Sequence, residues 1–136
     1  MATIKNYTDI NQSKKLAEIL PLESADMLFQ LGEDKYADSI RAPLTKEHWE
    51  QMMPDIKPCW SLSALLELMP QRIVGPFGEL WHLGLEKDWD KVSYIVYYEN
   101  KNSFVQRKAK DPIDACIEMI EWLIKNGHKH FISNFK

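Results

Sequence analysis

The stretch that decides the fold is DPIDACIEMIEWLIKNG, residues 111–127. Asp111 is a suitable N-cap, Pro112 fits the first helical position, where no N–H is needed, and Gly127 can adopt the left-handed conformation that ends a helix. The polar residues recur at steps of three and four and form one narrow stripe, whereas the rest of the segment is apolar. The sequence therefore predicts a helix that is covered over most of its circumference, by a sheet and by something else.

Three strands are predicted before this helix, over residues 79–86, 92–99 and 103–109. The links between them, KDWDK and NKNS, contain the Asp and Asn residues that tight turns favour. Such short links are typical of an antiparallel meander. We therefore expect the long helix to pack back on a sheet formed by these strands.

The earlier part of the chain is predicted to be mainly helical. Helices are expected over residues 9–20, over residues 45–53 and between Pro58 and Pro70, and a strand over residues 27–31. Asp26, at the mouth of that strand, is expected to be buried and hydrogen-bonded to backbone amides. It is therefore assigned a structural role.

The order of these elements defines the expected fold class. It is α+β, with two layers: an antiparallel sheet of three to five strands with helices packed on one face. The length fits a single domain, residues 1–136. Within it, residues 32–57 are polar and rich in turn residues, and we interpret them as an insertion or lid.

Composition and charge exclude several classes of function. The net charge of −3 argues against a protein that binds nucleic acid by a broad basic surface. No apolar run approaches the roughly 20 residues that span a bilayer, so no membrane association is expected. The N-terminal MATIKNYTDI lacks the apolar core of a signal peptide, which favours a cytoplasmic protein.

The cysteines and histidines form no metal-binding pattern. Cys59 and Cys116 both fall on predicted helices, far apart in sequence, and are expected to be free, buried thiols. The histidines show no HxxxH or HExxH spacing; they are His48, His82, His128 and His130. We therefore expect no metal site and no cofactor.

Three segments carry a resemblance to known proteins. They are DINQSKKLAEILPLESADM at residues 9–27, PCWSLSALLELMP at residues 58–70 and DPIDACIEMIEWL at residues 111–123. Together they cover about a third of the chain and resemble an uncharacterised family of small proteins in bacterial genomes and their prophages. The residues between Met27 and Pro58 do not match that family's pattern. The resemblance implies a shared fold and a mobile-element origin, and it supplies no functional residue.

One candidate function is that of a small enzyme that uses Cys59. This residue precedes a predicted helix N-terminus, where the helix dipole would lower the pKa of the thiol and favour the nucleophilic thiolate. His82, on a predicted strand, is the best available base. The simpler interpretation is that Cys59 fills a small apolar gap beside Trp60.

A second candidate function is weak nucleic-acid binding. Four basic residues and two aromatic neighbours resemble a surface that binds single strands by charge and stacking. These residues are Lys101, Arg107, Lys108 and Lys110, with Phe104 and Tyr98. The simpler interpretation is a solvated edge strand that lysine protects from further pairing.

The aromatic residues support a third candidate, a non-catalytic protein-interaction protein. Five Trp, five Tyr and five Phe exceed what one small core must hold, and Trp89 in the turn DWDK is hard to bury locally. The protein would self-associate or bind another protein through an aromatic sheet face or one side of the last helix. The candidate binding residues are Trp81, Trp89, Tyr94, Tyr98, Met119 and Trp122. With the resemblance, this hypothesis extends to a prophage or mobile-element accessory protein.

Overall fold

The computed structural model describes residues 5–30, 37–40, 44–53 and 55–128. These residues divide into two compact units: an N-terminal unit within residues 6–68, and a C-terminal unit that comprises Lys5 and residues 69–128. The helices and strands, in chain order, are α1 (Ile10–Ile19), β1 (Met27–Gln30), β2 (Asp38–Ser39), α2 (Lys46–Met52), β3 (Ile56–Cys59), α3 (Leu62–Leu68), β4 (Arg72–Val74), β5 (Leu80–Lys87), β6 (Tyr94–Glu99), β7 (Phe104–Ala109) and α4 (Pro112–Lys125).

The predicted α+β class with antiparallel strands is confirmed, and the strands form two sheets. In the N-terminal unit the order is β2-β1-β3, with Met27 of β1 between Ser39 and Cys59. Helix α1 packs on β3. It begins at Asp9, whose carboxylate accepts the N–H of Gln12 at 2.8 Å while the Gln12 side chain accepts the N–H of Asp9 at 3.0 Å. This reciprocal capping fixes the start of the helix.

The structure corrects the secondary structure at Cys59. This residue was predicted on a helix and instead ends β3, a strand that the sequence reasoning missed because Pro58 interrupts it. Proline is tolerated here since β3 is an edge strand of its sheet. Of residues 32–57, the described part contributes β2, α2 and the start of β3. Their assignment as an insertion or lid stays a prediction.

The C-terminal unit contains a four-stranded antiparallel sheet in the order β4-β5-β6-β7. The three predicted strands are confirmed, with bounds shifted by one or two residues, whereas the three-residue β4 was missed. Helix α4 is also confirmed: Asp111 accepts the N–H of Ile113 at 2.8 Å, and Gly127 has φ +84°. The helix packs on β6 and β7.

The expected coverage of α4 is confirmed too, and the chain itself provides it. Eight of its residues are buried: Pro112, Ile113, Ala115, Cys116, Ile117, Met119, Ile120 and Leu123. Each large apolar side chain among them contributes about 1.5–3 kcal/mol to folding. A second subunit is therefore not needed to cover Met119.

The two faces of the C-terminal sheet differ in exposure. On the face that packs against α4, Val96 and Tyr98 are fully buried, and the Tyr98 hydroxyl donates to the Pro70 carbonyl at 2.6 Å. Because side chains alternate along a strand, the intervening residues project from the opposite side, which we call the outer face. That face carries most of the exposed residues of the sheet.

The lengths and compositions of the helices bear on the expectation that the protein does not associate with a membrane. Within the described ranges, no helix has both the length and the apolar character needed to cross a bilayer.

Candidate functional site

The outer face exposes apolar side chains near one end of the sheet. Val74 is 56% exposed, Leu80 48% and Phe104 63%. Val74 and Leu80 are cross-strand partners on β4 and β5, so their side chains project side by side. Exposed apolar residues that lie together, unlike single ones, mark interaction surfaces.

A row of mixed charge crosses the outer face next to these residues. The register pairs Arg72 with His82, His82 with Glu99, and Glu99 with Phe104. All four side chains are exposed. The row therefore places a cation, an imidazole, a carboxylate and a phenyl ring on four successive strands.

The centre of the outer face is an aromatic ring. Tyr97 is paired with Gly84, and a Cβ atom added at Gly84 would overlap the Tyr97 ring. The ring therefore lies across the glycine, and a larger residue at position 84 would displace it. The result is an aromatic surface beside the charged row, with the Tyr97 hydroxyl over Gly84.

The turn between β4 and β5 carries the solvent-exposed side chain of Phe77. This side chain is 93% exposed. The Glu79 carboxylate accepts the N–H of Phe77 at 2.9 Å and the indole N–H of Trp81 at 3.1 Å. Backbone N–H groups at Glu79 itself and at Phe77, with the Trp81 indole, hold the pKa of the Glu79 carboxyl below its usual value. Trp81, a candidate binding residue, is half-buried and helps to order this turn.

The turn between β5 and β6 holds Trp89 in a similar way. The sequence indicated that Trp89 would be hard to bury, and the side chain is 97% exposed. Asp90 accepts the N–H groups of Val92 and Ser93, each at 2.9 Å. Lys108 of β7 forms ion pairs with Asp88 and Asp90. The backbone under the indole is therefore fixed while the indole itself contacts water.

These contacts also act on the acidic groups of the turn. Hydrogen bonds from Ser93 and Val92 hold the pKa of the Asp90 carboxyl far below its usual value. The Lys108 ammonium, followed by the N–H of Trp89, lowers the pKa of the Asp88 carboxyl. Both carboxylates therefore stay ionised and keep the turn closed at neutral pH.

Burial excludes two of the predicted binding residues from contact with a partner. Tyr98 and Met119 are fully buried, so neither is available to a partner. The sequence did not reveal which face of β6 is packed, because residues of both parities between 94 and 98 are apolar or aromatic. Tyr94 is half-buried, and Lys87 Nζ lies 5.8 Å from its ring centroid, a cation–π contact.

Trp122 lies in a separate groove between β7 and α4. Its ring stacks on His128 with 5.6 Å between centroids. The groove has a volume of about 450 Å³ and both signs of charge; it is lined by Arg107, Glu118, Glu121, Trp122, Lys125 and Asn126. Trp122 is therefore only partly accessible, at the side of a polar groove.

Cys59 has a buried, neutral thiol. It is fully buried, and its Sγ atom donates to the Thr8 carbonyl at 3.3 Å. Burial raises the pKa of the Cys59 thiol, so the predicted lowering was wrong: the residue ends a strand and does not directly precede a helix. His82, its proposed base, belongs to the other unit and is exposed on the outer face.

Polar contacts around Cys59 serve the fold of the N-terminal unit. Thr8 bonds the N–H of Trp60 at 3.1 Å and the Ser13 hydroxyl at 2.7 Å. Asp26 is half-buried, not buried as predicted, and it accepts both the N–H and the hydroxyl of Ser61, which supports its structural role. The Ser61 oxygen in turn accepts the N–H of Ala64 in the first turn of α3.

The basic cluster is divided between surfaces. Arg107 lies on the packed face and lines the Trp122 groove, whereas Lys108 lies on the outer face and is paired with two carboxylates. Lys101 and Lys110 are exposed outside β7. The strand therefore presents no continuous basic stripe.

No metal-binding constellation was found in the part of the chain that the structure describes: nowhere in it do three or more His, Cys, Asp or Glu side chains group around one point. No protein family, curated protein or solved structure matches this chain. Its function must therefore be inferred from geometry.

The sequence did not indicate three of the exposed apolar residues, Val74, Phe77 and Leu80, and it placed the fourth, Phe104, in the candidate nucleic-acid-binding cluster. A signal for Phe77 was present in the string GPFG at residues 75–78, where glycine, proline and glycine surround one aromatic residue. A Cβ atom at Gly75 would overlap Glu79 and Trp81, so this turn depends on its first glycine. The exposure of the other three depends on which face the helix covers.

Proposed function

We propose that this protein is a non-catalytic protein-interaction protein that binds its partner through the outer face of the C-terminal sheet. The observation that carries the proposal is the pair of exposed apolar side chains Val74 and Leu80 at one end of that face, with Phe77 on the adjacent turn. Phe104, also exposed, lies at the same end on the opposite edge strand, β7. An apolar group surrounded by polar residues is typical of a protein-binding surface.

The order of the adjacent turn supports this function. The Phe77 N–H donates to the Glu79 carboxylate, so the turn that carries the ring is already ordered and loses less entropy on binding than a flexible loop would. Trp89 is held in the same manner at the opposite end of the sheet. Rigid aromatic residues of this kind are enriched among those that dominate binding energy.

The enzymatic alternative has less support. A nucleophilic cysteine needs a thiolate and access to substrate, whereas Cys59 is buried with a raised pKa. Nucleic-acid binding is also less supported, because Lys108 is already paired with Asp88 and Asp90. The resemblance of residues 9–27, 58–70 and 111–123 extends the proposal to a cytoplasmic accessory protein of a prophage or other mobile element.

Native mass spectrometry of the tagged protein, purified at low salt from cells that produce it, tests the proposal. The wild type should yield a complex heavier than the tagged chain, which without its tag has a mass of 16.0 kDa. A double variant, Leu80→Ser with Phe104→Ser, should yield the bare chain, because it removes two apolar contacts without altering the turns.

The matched control is Lys14→Ser with Glu18→Ser, on the exposed side of α1. This variant should retain the complex, and circular dichroism should show that all three proteins are folded. A bare chain from the wild type at every concentration up to about 1 mM would contradict the proposal, and so would a complex that the outer-face variant retains.

A further inference from the structure

We infer that the outer face binds a second copy of this chain through a two-fold axis. The axis lies above the outer face, between the two sheets, and runs parallel to the strands along the line between β5 and β6. This inference rests on the proposed function and names the partner. In such a dimer β5 of one chain lies over β6 of the other. Two antiparallel sheets commonly pack face to face in this way, with strands within about 30° of each other.

The first argument is charge complementarity. His82 on β5 and Glu99 on β6 are direct cross-strand neighbours, at equal distances from the proposed axis. A two-fold rotation therefore sets His82 over the partner's Glu99, and Glu99 over the partner's His82. An imidazole N–H donates to a carboxylate in either protonation state of the ring, so one residue pair forms two identical contacts.

The same rotation matches the outer strands. Arg72 on β4 and Phe104 on β7 occupy the ends of the same row. The rotation sets the Arg72 guanidinium over the partner's Phe104 ring, a favourable cation–π pair. Every member of the row thus meets a complementary group.

The shape of the face also suits a second sheet. The Tyr97 ring lies across Gly84, which leaves an aromatic surface at the centre. Ile95, on the same face, is buried and lies between its cross-strand neighbours Glu86 and Lys108. Opposed aromatic rings near the axis add stacking or edge contacts.

The available area sets the expected affinity. A sheet of four strands about 4.8 Å apart and about 20 Å long has a footprint of about 400 Å². Specific interfaces bury about 800 Å² per partner. The dimer is therefore expected to be reversible, with a larger dimer fraction as concentration rises.

Sedimentation equilibrium of the purified protein, from low micromolar to about 1 mM, tests the inference with two complementary variants. Wild-type protein should move from the monomer mass toward twice that mass. Glu99→Lys and His82→Glu, each alone, should associate at least about tenfold more weakly. His82→Glu opposes two carboxylates across the axis, and Glu99→Lys removes the acceptor of the His82 N–H.

An equimolar mixture of the two variants distinguishes contacts between chains from contacts within one. In the mixed dimer one contact keeps His82 against Glu99, and the other sets two introduced charges of opposite sign against each other. Within each variant chain, the cross-strand pair of His82 with Glu99 is still absent. The association constant of the mixed dimer should therefore return to within about threefold of the wild-type value. Only contact between chains can produce this recovery.

Phe104→Ser provides an independent variant in case a charge reversal prevents folding, and it should also weaken association. A wild type that stays monomeric to about 1 mM would overturn the inference. A dimer that neither charge variant weakens, or that mixing does not restore, would overturn it as well. A complex with a different protein through the same face would contradict only the inference and would leave the proposed function standing.

Discussion

Lys108 of β7 forms an ion pair with Asp88, with Lys108 Nζ 2.5 Å from Asp88 Oδ2. The pair connects the edge strand of the C-terminal sheet to the turn between β5 and β6, whose tip is Trp89. Asp90 Oδ2 lies 3.4 Å from the same ammonium. One lysine thus joins a strand to the turn that presents the most exposed aromatic residue among those described.

The first prediction concerns this lysine. Lys108→Met should increase motion of residues 88–92, because the turn loses both ion pairs while the strand keeps a side chain of similar length. The measurement is the backbone heteronuclear nuclear Overhauser effect, which should fall at Trp89. Lys101→Met, at an exposed lysine in the turn between β6 and β7, is the control. Equal values at Trp89 in both variants would show that the ion pairs do not order the turn.

The second prediction concerns pH. The pKa values of Asp88 and Asp90 are lowered in the folded protein, so their contribution to stability is present above the unfolded pKa. It is lost as pH falls through the folded values. Carbon NMR titration should give midpoints for both carboxyls below the ordinary aspartate value of about 3.9. A midpoint at or above that value would contradict the hydrogen bonding of the turn.

The third prediction concerns the packed face. Tyr98→Phe removes the hydroxyl that donates to the Pro70 carbonyl at 2.6 Å. The free energy of unfolding should fall by about 1 kcal/mol, the usual effect of losing one such hydrogen bond. Urea denaturation measures it, with Tyr97→Phe on the outer face as the matched control. An equal effect of the two substitutions would contradict the assignment of the faces.

The fourth prediction separates the interaction hypothesis from the enzymatic one. Cys59 and Cys116 are both fully buried, and burial raises the pKa of Cys116 to about 12. Iodoacetamide should therefore label both thiols slowly and to a similar extent at neutral pH, and quickly only after unfolding. Rapid, selective labelling of Cys59 in the folded protein would instead support a nucleophilic role for that residue.

Much of the fold was predictable because local signals agreed with tertiary packing. The Asp-Pro start and Gly end of α4 define that helix from sequence, and the Asp- and Asn-containing links define the meander. The strands β3 and β4 were not predictable in this way. They have four and three residues, and β3 contains a proline, so neither has a period that a pattern can reveal.

The candidate site was predictable only in part. The turn DWDK indicated that Trp89 would be exposed, and it is. The exposed face of the sheet is the one that α4 does not cover. The sequence could not identify it, because β6 has apolar or aromatic residues on both faces. Tyr98 and Met119 were therefore assigned to a protein-binding surface although the chain buries them, Leu80 was overlooked, and Phe104 was assigned only to the candidate nucleic-acid-binding cluster.

Site-specific photo-crosslinking at position 104 tests the central claim, binding of a protein through the outer face, most directly. Phe104→p-benzoyl-phenylalanine places a photoreactive ring on that face, and Lys14→p-benzoyl-phenylalanine on α1 is the control. After irradiation of cells that produce each variant, a discrete adduct should form from position 104, be absent from position 14 and be lost when Leu80→Glu is added. No adduct from position 104, or the same adduct from both positions, would contradict the central claim.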